Sequence, residues 1–370
     1  MATKFKLSAL ALSLALAIPT LGFALTTAQP EVLDTIYVLS NGVTQNEVLT
    51  FQRDAKNGMV QIGRVATGGT GTGGGLGNQG ALAFSKDGNY LFAVNPGSNS
   101  VSVFSVAKNG QLTLLDTADD AGLRPVSVTV DHNRVFVVNA GDGTIFGYKF
   151  NRSQGKLEPL PLTNKRLSGT SVGPAQISFD NEGEVLVVTE KATNKITTFA
   201  IDEESNTPAD AVSINSSAAT PFGFYFGKRN QLIVSEAHGG APNASTLSSY
   251  KLKESGALEL ISASVPDNQT AACWVVTTPN GRTAFTTNTG SSSISSYAVK
   301  ADGTLSLLIS VAAQAAGATD IDVSNDGKVL YSLNAGSRSI GVYGIGNNGT
   351  LSNITSISAL PAGATGLVVR

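Results

Sequence analysis

The chain repeats one strand-and-turn pattern along nearly its whole length, and a repeat of this kind fixes the architecture before any single residue is interpreted. One copy runs from Gly80-Ala-Leu-Ala-Phe84 through Asp87-Gly88 to Leu91-Phe-Ala-Val-Asn95, then to Val101-Ser-Val-Phe104 and Lys108-Asn-Gly-Gln-Leu112. Another runs from Asp320-Ile-Asp-Val323 through Asp326-Gly327 to Val329-Leu-Tyr-Ser-Leu-Asn334, then to Ile340-Gly-Val-Tyr343 and Asn348-Gly349. Each copy holds four short apolar strands. Asn-Gly or Asp-Gly pairs supply the positive φ that tight hairpins between them demand.

Aligning the ends of the second strands gives Ser40, Asn95, Asn139, Thr189, Ser235, Asn288 and Asn334, roughly 44 to 55 residues apart. Seven such copies predict an all-β, seven-bladed propeller with four antiparallel strands per blade. The first copy begins with its second strand at Asp34-Thr-Ile-Tyr-Val38, and the missing piece stands at the other end as Gly363-Ala-Thr-Gly-Leu-Val-Val369. The C-terminal strand is therefore expected to complete the N-terminal blade, closing the ring and removing an exposed sheet edge.

Lys4 and Lys6 precede an apolar stretch from Leu7 to Ile18 and small residues up to Ala28, the pattern of a secretory signal peptide cleaved after Ala24 or Ala28. The sequence thus divides into a leader, 1–28, and one propeller domain, 29–370, expected to be secreted or periplasmic, monomeric and without a membrane span after leader removal. Losing Lys4 and Lys6 takes the formal charge from −2 to −4. Without a basic run, nucleic acid is excluded as a partner, because phosphate contacts need clustered Lys and Arg. The single cysteine, Cys273, excludes an intramolecular disulfide, and one tryptophan is too few for the Trp-rich blades of a quinoprotein. No cofactor is expected. Two histidines and no thiol cluster give no metal signature.

Propeller topology sorts residues between two faces. Starts of inner strands and ends of second strands gather at an upper channel mouth, and the Asp-Gly turns lie opposite. The mouth is expected to collect Gln79, Arg124, Gln176, Phe222, Cys273, Trp274, Asp320 and Thr365 from strand starts. Glu190, Lys191 and Glu236 come from strand ends, with His238 on the glycine-rich loop just beyond. Glu190 and Glu236 follow the aligned position by one residue on adjacent blades, so they are candidate catalytic acid and base; the alternative is that each caps a loop backbone or pairs with a lysine. Arg124 would hold a carboxylate, with Gln176, Phe222, His238, Trp274 and Asp320 contacting substrate. His132 belongs to a turn on the far face. The run from Gly68 to Gly77 joins two strands with no following helix or Lys-Ser/Thr pair, so it is expected to lie over the mouth rather than cradle phosphate.

The repeat wording, Pro-x-x-φ-x-φ-x-x-Asp-Gly-x-x-φ-φ-φ-x-Asn-x-Gly-Ser with φ apolar, resembles the lactonase-type seven-bladed propellers over about residues 34 to 370. That family includes 6-phosphogluconolactonases and carboxymuconate cyclases. The resemblance implies hydrolysis or cyclisation of a small lactone or carboxylated substrate at the upper channel mouth. It also implies a Pro-His pair at an inner-strand start, where this chain instead reads Pro125-Val126, Pro174-Ala175 and Pro221-Phe222. A non-catalytic propeller binding a small-molecule ligand or a protein partner is the alternative.

Overall fold

The computed structural model describes residues 1–3, 31–119, 122–202 and 204–370, so the expected leader lies, beyond residue 3, outside the described residues. Seven antiparallel sheets form the ring. Each begins with an inner strand: 365–369 in blade 1, 82–84 in blade 2, 125–131 in blade 3, 174–179 in blade 4, 221–226 in blade 5, 272–277 in blade 6 and 318–323 in blade 7. Blade 1 is split as the repeat requires. Its C-terminal strand pairs Val38 with Leu367 and Ile36 with Val369, and Thr35 and Arg370 exchange both backbone hydrogen bonds at 2.8 and 2.9 Å.

One aromatic side chain recurs at the fifth residue of every third strand: Phe51, Phe104, Tyr148, Phe199, Tyr250, Tyr297 and Tyr343. All seven are buried. Burial of each ring supplies about 2 kcal/mol. Where the residue is tyrosine, its hydroxyl reaches the end of the preceding blade: Tyr148 donates to the Asp119 carbonyl at 2.9 Å, Tyr343 to Gln314 at 2.9 Å, and Tyr250 accepts from the Ser217 N–H at 2.8 Å. Ring packing holds the blades together, and the hydroxyls fix their spacing.

Around the channel, each inner strand exposes unpaired N–H groups on its free edge, which must find partners. Side chains from the preceding blade supply them. Ser127 and Thr129 of blade 3 accept from Ile177 and Phe179 of blade 4 at 3.2 and 3.1 Å. Gln176 Oε1 of blade 4 accepts from Phe224 of blade 5 at 2.7 Å. Asp320 and Asp322 of blade 7 accept from Leu367 and Val369 of blade 1 at 2.9 and 2.8 Å. Residues two apart on a strand share a side, so one polar pair per blade can latch the next.

Candidate functional site

Blade 5 breaks this latch. Pro221 pairs with Glu236 as Pro125 pairs with Asn139, which puts Gly223 where blade 3 has Ser127. Glycine offers no acceptor, so the N–H of Val275 in blade 6 is left for another group. That group is Gln79, whose Oε1 accepts from Val275 N at 3.1 Å while its Nε2 donates to Val275 O at 2.8 Å. A Cβ at residue 223 would overlap the Gln79 oxygen and lie 2.6 Å from the Cys273 carbonyl oxygen. Gly223 and Gln79 are complementary halves of one joint.

Gln79 arrives on the glycine-rich run, which lies over the upper mouth as expected and then dips into it. Asn78 donates to the Val126 carbonyl, and its own carbonyl accepts from Trp274 Nε1 at 2.7 Å. The Gln79 N–H donates to Ala175 O at 2.9 Å. Lys191 Nζ donates to the Gly77 carbonyl and sits 4.8 Å over the Phe222 ring. Residues 77–79 thus touch blades 3, 4, 5 and 6, and they close the channel at its upper end. Enclosure pushes the Lys191 amine down to about 8, with the Arg124 charge adding to that effect and Cys273 opposing it.

The expected mouth residues therefore part company. Phe222 and Trp274 are both buried, their ring centroids 5.0 Å apart, and they pack beside the plug instead of lining the cavity. Arg124 is exposed on the plugged face, where its backbone N–H donates to Asn99 at 2.7 Å and its charge is felt by Lys191. His238 is half-buried, its Nε2 3.1 Å from the Thr246 hydroxyl. Cys273 is buried, and desolvation pushes its thiol up to about 12, far from a nucleophilic thiolate. His132 is exposed in its turn, 2.9 Å from Asp131.

The two glutamates correct the sequence alignment. Strand pairing puts Glu190 opposite Pro174 and Glu236 opposite Pro221, the register that Asn139 has with Pro125 and Asn334 with Ala318. They occupy the asparagine position, not the residue after it. Each anchors the connector entering its own blade. Glu236 accepts from the Ser216 hydroxyl and Ala218 N–H, both at 2.9 Å, from Thr246 at 2.7 Å and from Ser248 at 2.8 Å. Glu190 accepts from the Ser168 N–H at 3.1 Å, from the Ser168 hydroxyl, and from Thr193 and Thr197 at 2.6 and 2.5 Å. Both have zero exposure. With four donors each and no exposed surface, neither carboxylate is placed to exchange a proton with a substrate, and the expected acid–base pair fails on this geometry. The loop-capping alternative holds.

Below the plug the channel widens into a cavity of about 360 Å³ lined by Gln176, Ser178, Tyr225, Asp320 and Asp322, among others. Asn181, Tyr225, Phe226 and Asp322 also line the adjoining space of about 400 Å³ among the lower turns, with Lys228, Pro279 and Asn325 at its rim. The channel is thus open on the Asp-Gly face, opposite the face expected. Gln176 and Asp320 are brought together here. Asp322 and Tyr225 were missed by sequence reasoning, although the two-residue strand period places Asp322 on the side of Asp320.

The electrostatics of this wall are distinctive. Burial drives the Asp320 carboxyl well above the usual carboxylate range, against the N–H groups of Ile321 and Leu367 that favour its charge. Burial likewise pushes Asp322 up to about 7, opposed by the N–H groups of Val323 and Val369. Tyr225 shows 39% of its surface to the channel. Desolvation by the surrounding walls and then the Asp322 charge still push its hydroxyl up to about 12. Near neutrality, a carboxyl at its midpoint, a second carboxyl whose charged form burial disfavours and a phenol donor share the wall. Among the described residues no group of three or more His, Cys, Asp and Glu side chains could hold a metal ion, and no helix is long and apolar enough to cross a membrane.

The family described as "Lactonase, 7-bladed beta-propeller" matches residues 34–172 and 279–363. The chain belongs to this lactonase family. Solved structures agree on the fold. A candidate 6-phosphogluconolactonase from Bacteroides uniformis superposes with TM-score 0.74 at 19% identity, covering 92% of this chain and 100% of that one. Another from Bacteroides fragilis gives 0.73 at 17%, covering 91% and 98%. A protein from Lactobacillus plantarum gives 0.73 at 16%, covering 92% and 99%. No curated protein matches the sequence. The family match includes Asp320, Asp322 and Gln79, whereas Gly223, Glu190 and Glu236 fall in the unmatched segment between its two parts.

Proposed function

We propose that this lactonase-family propeller hydrolyses a small, uncharged lactone that enters from the Asp-Gly face. The observation carrying this reading is the Asp322 carboxyl on the wall of the channel cavity, beside the Tyr225 side chain. In the ionised state Asp322 takes a proton from water as the water oxygen attacks the ester carbonyl. The Tyr225 O–H donates to the oxygen on which negative charge develops. The carbonyl reforms as the ring C–O bond breaks, and the proton held by Asp322 passes to the leaving alkoxide. Gln176 and Ser178 offer amide and hydroxyl groups to ring substituents. The cavity beneath the plug is lined by no Lys or Arg, which favours a neutral substrate over a carboxylated or phosphorylated one. Arg124, exposed on the plugged face, is too remote to hold an anion there.

Neutral γ- and δ-lactones assayed against wild type and Asp322→Asn test the reading. It predicts turnover that rises through about pH 7 and falls about 100-fold in the variant. Equal turnover by both proteins would sink it. The alternative, a non-catalytic ligand-binding propeller, draws support from the backbone hydrogen bonds that Asp322 already makes. Saturable lactone binding without hydrolysis would select that alternative. The pattern from Lys4 to Ala28 supports export, checked by N-terminal sequencing of protein recovered outside the cytoplasm.

A further inference from the structure

We infer that Gln79 is the specificity-determining residue of this channel, because its side chain forms the blind end that limits how far a ligand extends. This rests on the channel being the ligand site. Gln79 lines the cavity itself, at the end opposite the opening among the lower turns. Its amide crosses to blade 6 only because residue 223 is glycine, and both its polar ends are consumed by the Val275 backbone. The amide is therefore held in one position, unlike a free side chain that a ligand could push aside. Trp274 is buried, does not line the cavity, and donates to the neighbouring Asn78 carbonyl at 2.7 Å. Shortening residue 79 deepens the cavity at the end next to the Asn78 segment to which that ring is bonded.

Trp274 is the sole tryptophan, so its fluorescence reports on the seal without any assay of activity. Two variants separate volume from hydrogen bonding. Gln79→Ala removes the wall, and Gln79→Met keeps its length while losing both bonds to Val275. Acrylamide quenching of Trp274 is expected to increase severalfold in Gln79→Ala and little in Gln79→Met. Across neutral γ-lactones of increasing alkyl length, the ratio of long-chain to short-chain kcat/KM is expected to rise at least 10-fold in Gln79→Ala and to stay near wild type in Gln79→Met. A merely structural residue would lower both lactones' rates together, or the melting temperature, without moving that ratio.

An unchanged ratio in folded Gln79→Ala overturns the inference, as does unchanged quenching. If wild type turns over no lactone, the hydrolase reading alone falls, and the same length series is read as dissociation constants by calorimetry. A 10-fold gain for the longer ligands in Gln79→Ala then sustains the inference. No gain, or no binding by either protein, refutes it.

Discussion

Two pairs of acids meet opposite fates in this ring. Glu190 and Glu236 end the second strands of adjacent blades, where four hydroxyl and N–H donors surround each carboxylate. Asp320 and Asp322 lie two residues apart on one inner strand, where each side chain accepts two backbone N–H groups and the remaining side is the channel. The first pair is enclosed by a saturated shell of donors. The second is desolvated with fewer donors, so its carboxyls move upward. Burial alone does not make an acid functional; the balance of donors and access to water decides.

The sharpest way to break this contrast is to replace Glu236 by Gln. Its amide would present a donor to groups that already donate, costing about 3 kcal/mol in chemical denaturation. A loss below about 1 kcal/mol would show that the shell is not structural. Asp322→Asn comes next, at about 100-fold in kcat/KM, equivalent to about 2.7 kcal/mol. Its stability at pH 8 should stay within about 1 kcal/mol of wild type, since a desolvated charge leaves along with one backbone bond.

A third expectation concerns pH. Unfolded aspartate titrates near 3.9, whereas folded Asp322 titrates at about 7. Between those values the folded protein holds a proton that the unfolded chain has lost. Stability contributed by this group is therefore highest below about pH 4, falls as pH rises through the window, and is fully lost above about 7. Linkage limits the slope to about 1.4 kcal/mol per pH unit for one group. Melting curves from pH 4.5 to 7.5 should slope more gently in Asp322→Asn, and identical slopes would contradict the assignment. The smallest effect belongs to Tyr343→Phe, which deletes one bond to the Gln314 carbonyl while keeping the ring; about 1 kcal/mol is expected by thermal denaturation.

The ring was legible in the sequence because Asp-Gly turns and apolar strands recur, and the split blade was legible because Gly363-Ala-Thr repeats Gly317-Ala-Thr. The glutamates were misaligned by one residue. Thr189-Glu190 and Ser235-Glu236 replace the asparagine marker, and a bulge near Pro174 hides the true register. Asp322 was in view beside Asp320, but the open face of the channel was not. Closure depends on Gln79 meeting Gly223, a pairing between segments 144 residues apart that no local pattern announces.

The most direct test of the account is the pH dependence of kcat/KM for a neutral δ-lactone, measured in parallel for wild type and Asp322→Asn. Wild type should climb to a plateau through about pH 7, with the variant about 100-fold lower and lacking that limb. Superimposable profiles would place the chemistry outside this channel.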